Sequence, residues 1–369
     1  MPSSFPHFLS ADELTARRHG QVTAFLEGRA LDRLWLSELM RERVGDGLLL
    51  LTSSPVHGLA NPTSDLDFIR IQKAAVDGPR IATKIFEEGH HLEVVSFSET
   101  ELASNIVELE RLAGLLPEET VAGLRAWDRQ REPRRKQTER IVNGIAMDGT
   151  APYLGALPAL SRVWCRAALH TAVEQVAHTT LAERAGETRG RVGYAYNVLL
   201  HLMDGLLSHH GDVYTTRKWY VLRWTRLMAE GGWHDASLRA VASTLERLRR
   251  DVHTFLGPAR AGEPIAARFA ELTLEALRAT GTAGAVTVEV EVTARVKAFL
   301  PGASLLVGAD GGVVLPGVGG ESDLPFTRGP VGLDALAALD APTAASLLRA
   351  LRAGAARLRI GYRDEEAGR

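Results

Sequence analysis

Apolar and polar residues alternate with different periods along the chain, and the changes of period outline its elements. Ser10 stands three residues before Glu13, the spacing of a capping box, so a helix is expected from there through Leu14, Val22 and Phe25. Leu31, Leu34, Leu36, Leu39 and Met40 recur near helical spacing and predict a second helix over Leu31–Val44. Gly45-Asp46-Gly47 breaks it. Leu48–Thr52 is a short, nearly unbroken apolar run, the mark of a strand buried on both faces. A loop rich in Ser, Pro, Gly and Asn leads to a second strand, Asp65–Ile71. A further loop at Asp77-Gly78-Pro79 precedes two strands around Gly89, Ile81–Phe86 and Leu92–Phe97. Ser98 opens a helix towards Leu115.

Arg129–Arg140 carries five Arg and one Lys and reads as a solvated helix or linker at a domain boundary. From there to about Thr280 the pattern is helical, best over Leu157–Leu181, Arg191–Ser208, Lys218–Ala229 and Leu238–Phe255. After Thr280-Gly281-Thr282-Ala283-Gly284 the period becomes two. Val286, Val288, Val290 and Val292 alternate with Thr287, Glu289 and Glu291, as in a half-exposed strand. Leu305–Val307 and Val313–Leu315 flank a turn at Asp310-Gly311-Gly312. Asp340 caps a last helix through Leu351, and Ala356–Tyr362 closes with a strand. The expected class is α+β: residues 1–130 with a small mixed sheet, 131–280 helical, and 281–369 a small α/β module of winged-helix-like makeup.

Composition narrows the function classes. The 369 residues are 45% hydrophobic, and 43 basic against 45 acidic residues leave a net charge of −2. That balance gives no bulk electrostatic attraction to nucleic acid or a membrane. No apolar run reaches the ~20 residues a bilayer span needs, and Met1–His7 has neither part of a signal peptide, so a cytoplasmic protein is expected. The single cysteine, Cys165, excludes an intrachain disulfide and reads as a buried, inert thiol.

The candidate chemistry lies in Leu50–Phe68. On a strand, Asp65 and Asp67 project to one face, where two carboxylates repel unless a cation lies between them. Oxygen donors at that spacing suit Mg²⁺, which takes few protein ligands plus substrate phosphates. The small residues of the preceding loop, with the Ser54 hydroxyl, could cradle a triphosphate. The full stretch resembles the signature of the nucleotidyltransferase superfamily of DNA polymerase beta-like fold: an apolar strand, Gly-Ser, a basic-Gly step, then Ser-Asp-x-Asp. Ser53-Ser54 stands at the Gly-Ser step, His57-Gly58 at the basic-Gly step, and Ser64-Asp65-Leu66-Asp67 completes the match. Two departures are Ser53 for glycine and His57 for the common basic residue.

The resemblance implies a third carboxylate on a neighbouring strand. Glu93, in Leu92-Glu93-Val94-Val95, fits better than Glu87 or Glu88, as a metal ligand or as the base for an acceptor hydroxyl. A looser resemblance to antibiotic-type nucleotidyltransferases rests on Tyr194–Ser208 followed by His209–Trp219. It implies that Lys218 reaches the triphosphate, with Lys84 its competitor. The expected nucleotide-binding residues are then Ser53, Ser54, His57, Ser64 and Lys218. His90-His91, His209-His210, Arg134-Arg135-Lys136, Arg189 and Arg191 read as solvated.

The implied activity is Mg²⁺-dependent transfer of a nucleoside monophosphate from an NTP, ATP foremost, to a small-molecule acceptor resembling an antibiotic or a biosynthetic intermediate. A nucleic-acid acceptor is disfavoured by the lack of a basic stripe with interleaved aromatics. The alternatives are a protein-modifying, antitoxin-like nucleotidyltransferase and a catalytically inactive binding protein. Residues 285–369 lie outside the resemblance and are open to an acceptor, a protein partner or a second copy.

Overall fold

The computed structural model describes residues 9–76, 81–128, 134–230, 233, 235–252, 265–293, 295–300, 303–308, 311–316 and 329–363. The expected loop at 77–79, the end of the helix at Phe255 and the turn residue Asp310 lie outside them. The chain divides into two compact units, Met1–Cys165 with Leu207–Gly232, and Arg166–Leu206 with Trp233–Arg369. This division cuts across the expected boundaries at 130 and 280.

The first unit opens with α1 (Ala11–Glu27), whose N-cap Ser10 forms the capping box with Glu13. Helix α2 (Arg33–Val44) starts at its N-cap Asp32. Strands β1 (Leu48–Leu51), β2 (Leu66–Gln72), β3 (Thr83–Glu87) and β4 (His90–Ser98) follow. Ser98 and Glu101 form a second capping box at the head of α3 (Glu99–Gly114). Beyond α4 (Pro117–Asp128), α5 (Arg134–Asn143) leads into β5 (Ile145–Ala146). The charged segment is therefore no linker at its C-terminal end: Thr138, Glu139, Ile141, Val142 and Asn143 are buried, and β5 pairs with β1.

The sheet order is β3-β4-β2-β1-β5. Of its pairings, β2 with β4 is parallel, whereas β1 runs antiparallel to β2 and β5, and β3 to β4. The β3–β4 hairpin turns through Glu88 and Gly89, with φ of 48° and 79°, the two positive values that a type I′ turn demands.

Alternation fixes what each sheet face carries. One face presents Leu49, Leu51, Leu66, Phe68, Ile85, Leu92 and Val94 to α1 and α2, where Val22, Leu26, Leu36, Leu39 and Met40 complete the core. On the other face, Leu50, Ile69, Ile71 and Phe97 pack with Leu102 of α3 and Ile141 of α5. Those helices cover only part of it. The register carries the same face on to Asp67, Glu93, His91, Lys84 and Phe86, and the polar cluster described below occupies that uncovered part.

Helices α6 (Leu157–Arg184) and α7 (Thr188–His209) run through the division of the chain, and α8 (Tyr220–Glu230) belongs to the first unit. The second unit adds α9 (Ala236–Arg250), α10 (Ile265–Ala279), β6 (Ala285–Val292), β7 (Arg295–Leu300), β8 (Ala303–Gly308), β9 (Gly311–Pro316), β10 (Val331–Gly332), α11 (Leu333–Ala337), α12 (Ala341–Arg352) and β11 (Ala356–Arg363). Its sheets have the orders β10-β6-β11 and β7-β8-β9. Val286, Val288 and Val290 are buried as their alternation implies, and Asp340 caps α12. Mixed sheet and helices make the chain α+β. Among the described residues no helix is long and apolar enough to cross a membrane.

Candidate functional site

Parallel pairing of β2 with β4 sets Asp67 directly opposite Glu93. Asp65 lies two residues before Asp67, at the mouth of the strand. Its Oδ1 is 3.0 Å from His91 Nδ1, and the other ring nitrogen, Nε2, lies 3.7 Å from Glu93 Oε1. The imidazole bonds the first carboxylate and lies near the third, its Nε2 having no hydrogen-bond partner. Phe86, 75% exposed on edge strand β3, stacks on that ring with centroids 4.6 Å apart.

Glu93 and Asp67 also each meet a cation. Lys84 Nζ is 3.1 Å from Glu93 Oε1, a pairing dictated by the β3–β4 register. Arg140 Nη2 is 3.4 Å from Asp67 Oδ2. Lys136, one turn earlier on α5, has its ammonium pKa lowered, first by the positive charge of Arg140 and then by burial, while Asp67, Glu139 and Glu93 act the other way. Arg29 donates to the Ser64 carbonyl at 2.6 Å and lies 2.8 Å from His90 Nδ1. Burial lowers its pKa and Asp65 opposes the shift. His90 and His91 are therefore half-buried members of a polar cluster, where the sequence suggested solvated residues, while Lys136 beside them is exposed as expected. Among the described residues, no group of three or more His, Cys, Asp or Glu could hold a metal ion.

The signature loop is not open along its length. Ser53 has φ of 65°, the left-handed region where an L-residue is strained and glycine is not. It is buried, and its Oγ has no hydrogen-bond partner. Thr52 donates through N–H and Oγ1 to the Asp67 carbonyl, which ties the loop's start to β2. Val56 and Leu59 are buried, and the Gly58 and Leu59 amides donate to Pro55 and Ser54 carbonyls. Ser64 is engaged locally, its Oγ accepting from the Asn61 amide at 3.0 Å. Ser54 is half-buried.

His57 faces inward. Its Nε2 is 3.7 Å from Glu139 Oε1 and its Nδ1 3.8 Å from Asp212 Oδ1, and its ring stacks on Tyr214 with centroids 4.5 Å apart. Burial pushes its pKa down, against the pull of Glu139. Asp212 is also the partner of the fully buried Arg223, at 3.2 Å. Glu139 accepts from Asn143 at 2.9 Å, and Asn143 Oδ1 accepts from the buried Arg18 at 2.6 Å.

The structure thus brings Asp65, Asp67 and Glu93 to one sheet face and turns Ser53 and His57 into the interior. Lys218 is exposed, its Nζ 5.1 Å from the Trp219 ring centroid, and the structure does not bring it to the carboxylates. His210 and Arg191 are buried, not solvated. Cys165 is buried as its sequence context suggests. Sequence reasoning passed over Arg140, Glu139, Asp212 and Arg18. Arg140 carried a weak signal, lying one turn past Lys136 on a helix that the apolar Ile141-Val142 pair anchors.

The first unit is therefore an α+β mixed-sheet unit whose uncovered sheet face carries three carboxylates among basic side chains. The chain belongs to a family of unknown function (DUF6001), whose model matches residues 9–363. A search of curated proteins returns no match. Among solved structures, a nucleotidyltransferase-like protein from Exiguobacterium sibiricum matches at 12% identity, over 67% of this chain and 72% of that one, with a TM-score of 0.25. A likeness at that level carries no argument about function.

Proposed function

We propose that the Asp65–Asp67–Glu93 face is a nucleotidyl-transfer site that moves a nucleoside monophosphate from an NTP to a small-molecule hydroxyl. The observation carrying this reading is the parallel register of Asp67 with Glu93, two residues after Asp65. It supports the carboxylate set that the sequence signature implies. As the side chains stand they form no three-ligand metal site; Mg²⁺, which takes one or two carboxylates together with substrate phosphates, would be held by Asp67 and a neighbouring carboxylate and would supply charge neutralisation to the phosphates when bound. Lys84 is 59% exposed, and the Arg140 contact is long for a charge-assisted bond, so an ion and a polyphosphate can compete with both. Lys84, Lys136 and Arg140 would bind phosphate oxygens. Glu93 would take the acceptor proton, with the His91 ring beside it. Positioning and charge would do most of the work, as phosphoryl chemistry requires little else from a protein.

Calorimetric titration with Mg²⁺ and a non-hydrolysable ATP analogue tests the proposal. Wild type should show saturable, Mg²⁺-dependent binding, and Asp67→Asn should weaken it at least tenfold, about 1.4 kcal/mol. Absence of binding in wild type overturns the reading. A second reading, an inactive nucleotide-binding protein, is favoured by the cations that already flank Asp67 and Glu93. Binding that is indifferent to Mg²⁺, with no transfer of labelled nucleotide, would support it.

A further inference from the structure

Behind the signature loop, within the first unit, lies a small cavity of about 30 Å³, roughly twice what one ordered water needs. Its walls come from α1, from Val56 and His57, from His210–Asp212 and from α8. They are unusually rich in charge for so small a space: Arg17, Arg18, Arg226, Asp212 and Glu230 all contribute. Both acids are already matched. Glu230 is held by Arg17 at 2.5 Å, and Asp212 by Arg223 at 3.2 Å and Arg226 at 3.8 Å. Arg226 also donates to the His57 carbonyl at 2.7 Å.

Arg18 is different. It is only 4% exposed, and its Nη2 donates to a neutral group, Asn143 Oδ1. Its Nη1 is buried with no hydrogen-bond partner. Burial pulls its pKa down to about 10, while Asp212 and Glu139 act in the other direction, so the guanidinium is charged at neutral pH. An unpaired buried donor on a charged group is costlier than one on a neutral group. A water satisfies the hydrogen bond alone; a small anion satisfies it and also meets the excess of arginines over acids on the walls.

We propose that this cavity binds one small oxyanion of the phosphate type, with Arg18 as its central ligand and Arg226 and Arg17 on its rim. The size admits a single tetrahedral anion and no nucleoside. The inference does not depend on nucleotidyl transfer, because none of the cavity residues belongs to the Asp65–Asp67–Glu93 face.

Calorimetry and thermal melts of the full chain with inorganic phosphate, against chloride at equal ionic strength, test it. Wild type should show saturable binding and a melting shift that chloride does not reproduce. Gln21→Glu places a carboxylate on the cavity wall at nearly constant volume and should weaken phosphate binding at least tenfold. Arg18→Met should abolish it; if that variant fails to fold, Gln21→Glu alone decides. Asp67→Asn should leave phosphate binding unchanged, which separates this site from the transfer site. Parallel titrations with pyrophosphate and ATP distinguish free phosphate from a phosphate tail: tight inorganic phosphate with weaker, larger ligands fits the small volume. No saturable phosphate binding in wild type, or binding equal in wild type and Gln21→Glu, would overturn the proposal.

Discussion

Ser53 occupies a glycine's conformation without being glycine. A left-handed backbone costs an L-residue about 1–2 kcal/mol, and the Ser53 hydroxyl is buried unpartnered as well. Ser53→Gly is therefore expected to stabilise the protein by about 1 kcal/mol, read as a higher urea midpoint at unchanged slope. A loss of stability would mean that the hydroxyl has a partner in solution. The carboxylates carry a second residue-scale lesson. From sequence, Asp65 and Asp67 looked like a repelling pair that a metal must relieve. In the fold each has its own basic neighbour, His91 or Arg140. Asp67→Asn consequently leaves Arg140 and Lys136 facing each other, so the substitution should lower stability slightly, by no more than about 1 kcal/mol at this exposure.

Among the elements, the β3–β4 hairpin shows most directly how local chemistry sets the site. Its turn fixes the pairing of Lys84 with Glu93 and of Phe86 with His91. Glu88 holds the first position at φ of 48°, where Asn is the preferred residue. Glu88→Asn should stabilise the hairpin by about 0.5–1 kcal/mol, measured by slower amide exchange across β3 with the Glu93 contacts intact. Most of these elements are legible from sequence because their signals are local: both capping boxes, the Gly45–Gly47 break and the valine alternation of β6. Helix α5 and strand β5 are not. A basic run followed by two apolar residues has no distinctive period, and what orders it is packing of Ile141 on the sheet and pairing of Ile145–Ala146 with β1.

For the molecule as a whole, stability should depend on pH through its buried histidines. His57 and His178 both have pKa values depressed, chiefly by burial. Below the unfolded-state value near 6.5, the unfolded chain binds protons that the folded chain does not, so stability is full above that pH and falls as pH drops through it. One such group contributes a slope of at most about 1.4 kcal/mol per pH unit. Denaturant melts between pH 7.5 and 5 should show the decline, and His57→Gln should flatten it partly, leaving the share of His178. An unchanged slope in that variant would mean that folding leaves the His57 pKa unshifted. The sequence by itself determined the α+β class, most strand and helix positions, and the spacing of Asp65, Asp67 and Glu93, because periodicity, capping and strand alternation act over a few residues. Tertiary structure alone decided that Asp67 lies beside Glu93, that His57 turns inward to Glu139 and Asp212, and that Arg18 ends in a cavity. Those outcomes depend on strand order and on which helix covers which face, and they join residues up to about two hundred positions apart, beyond the reach of any local pattern.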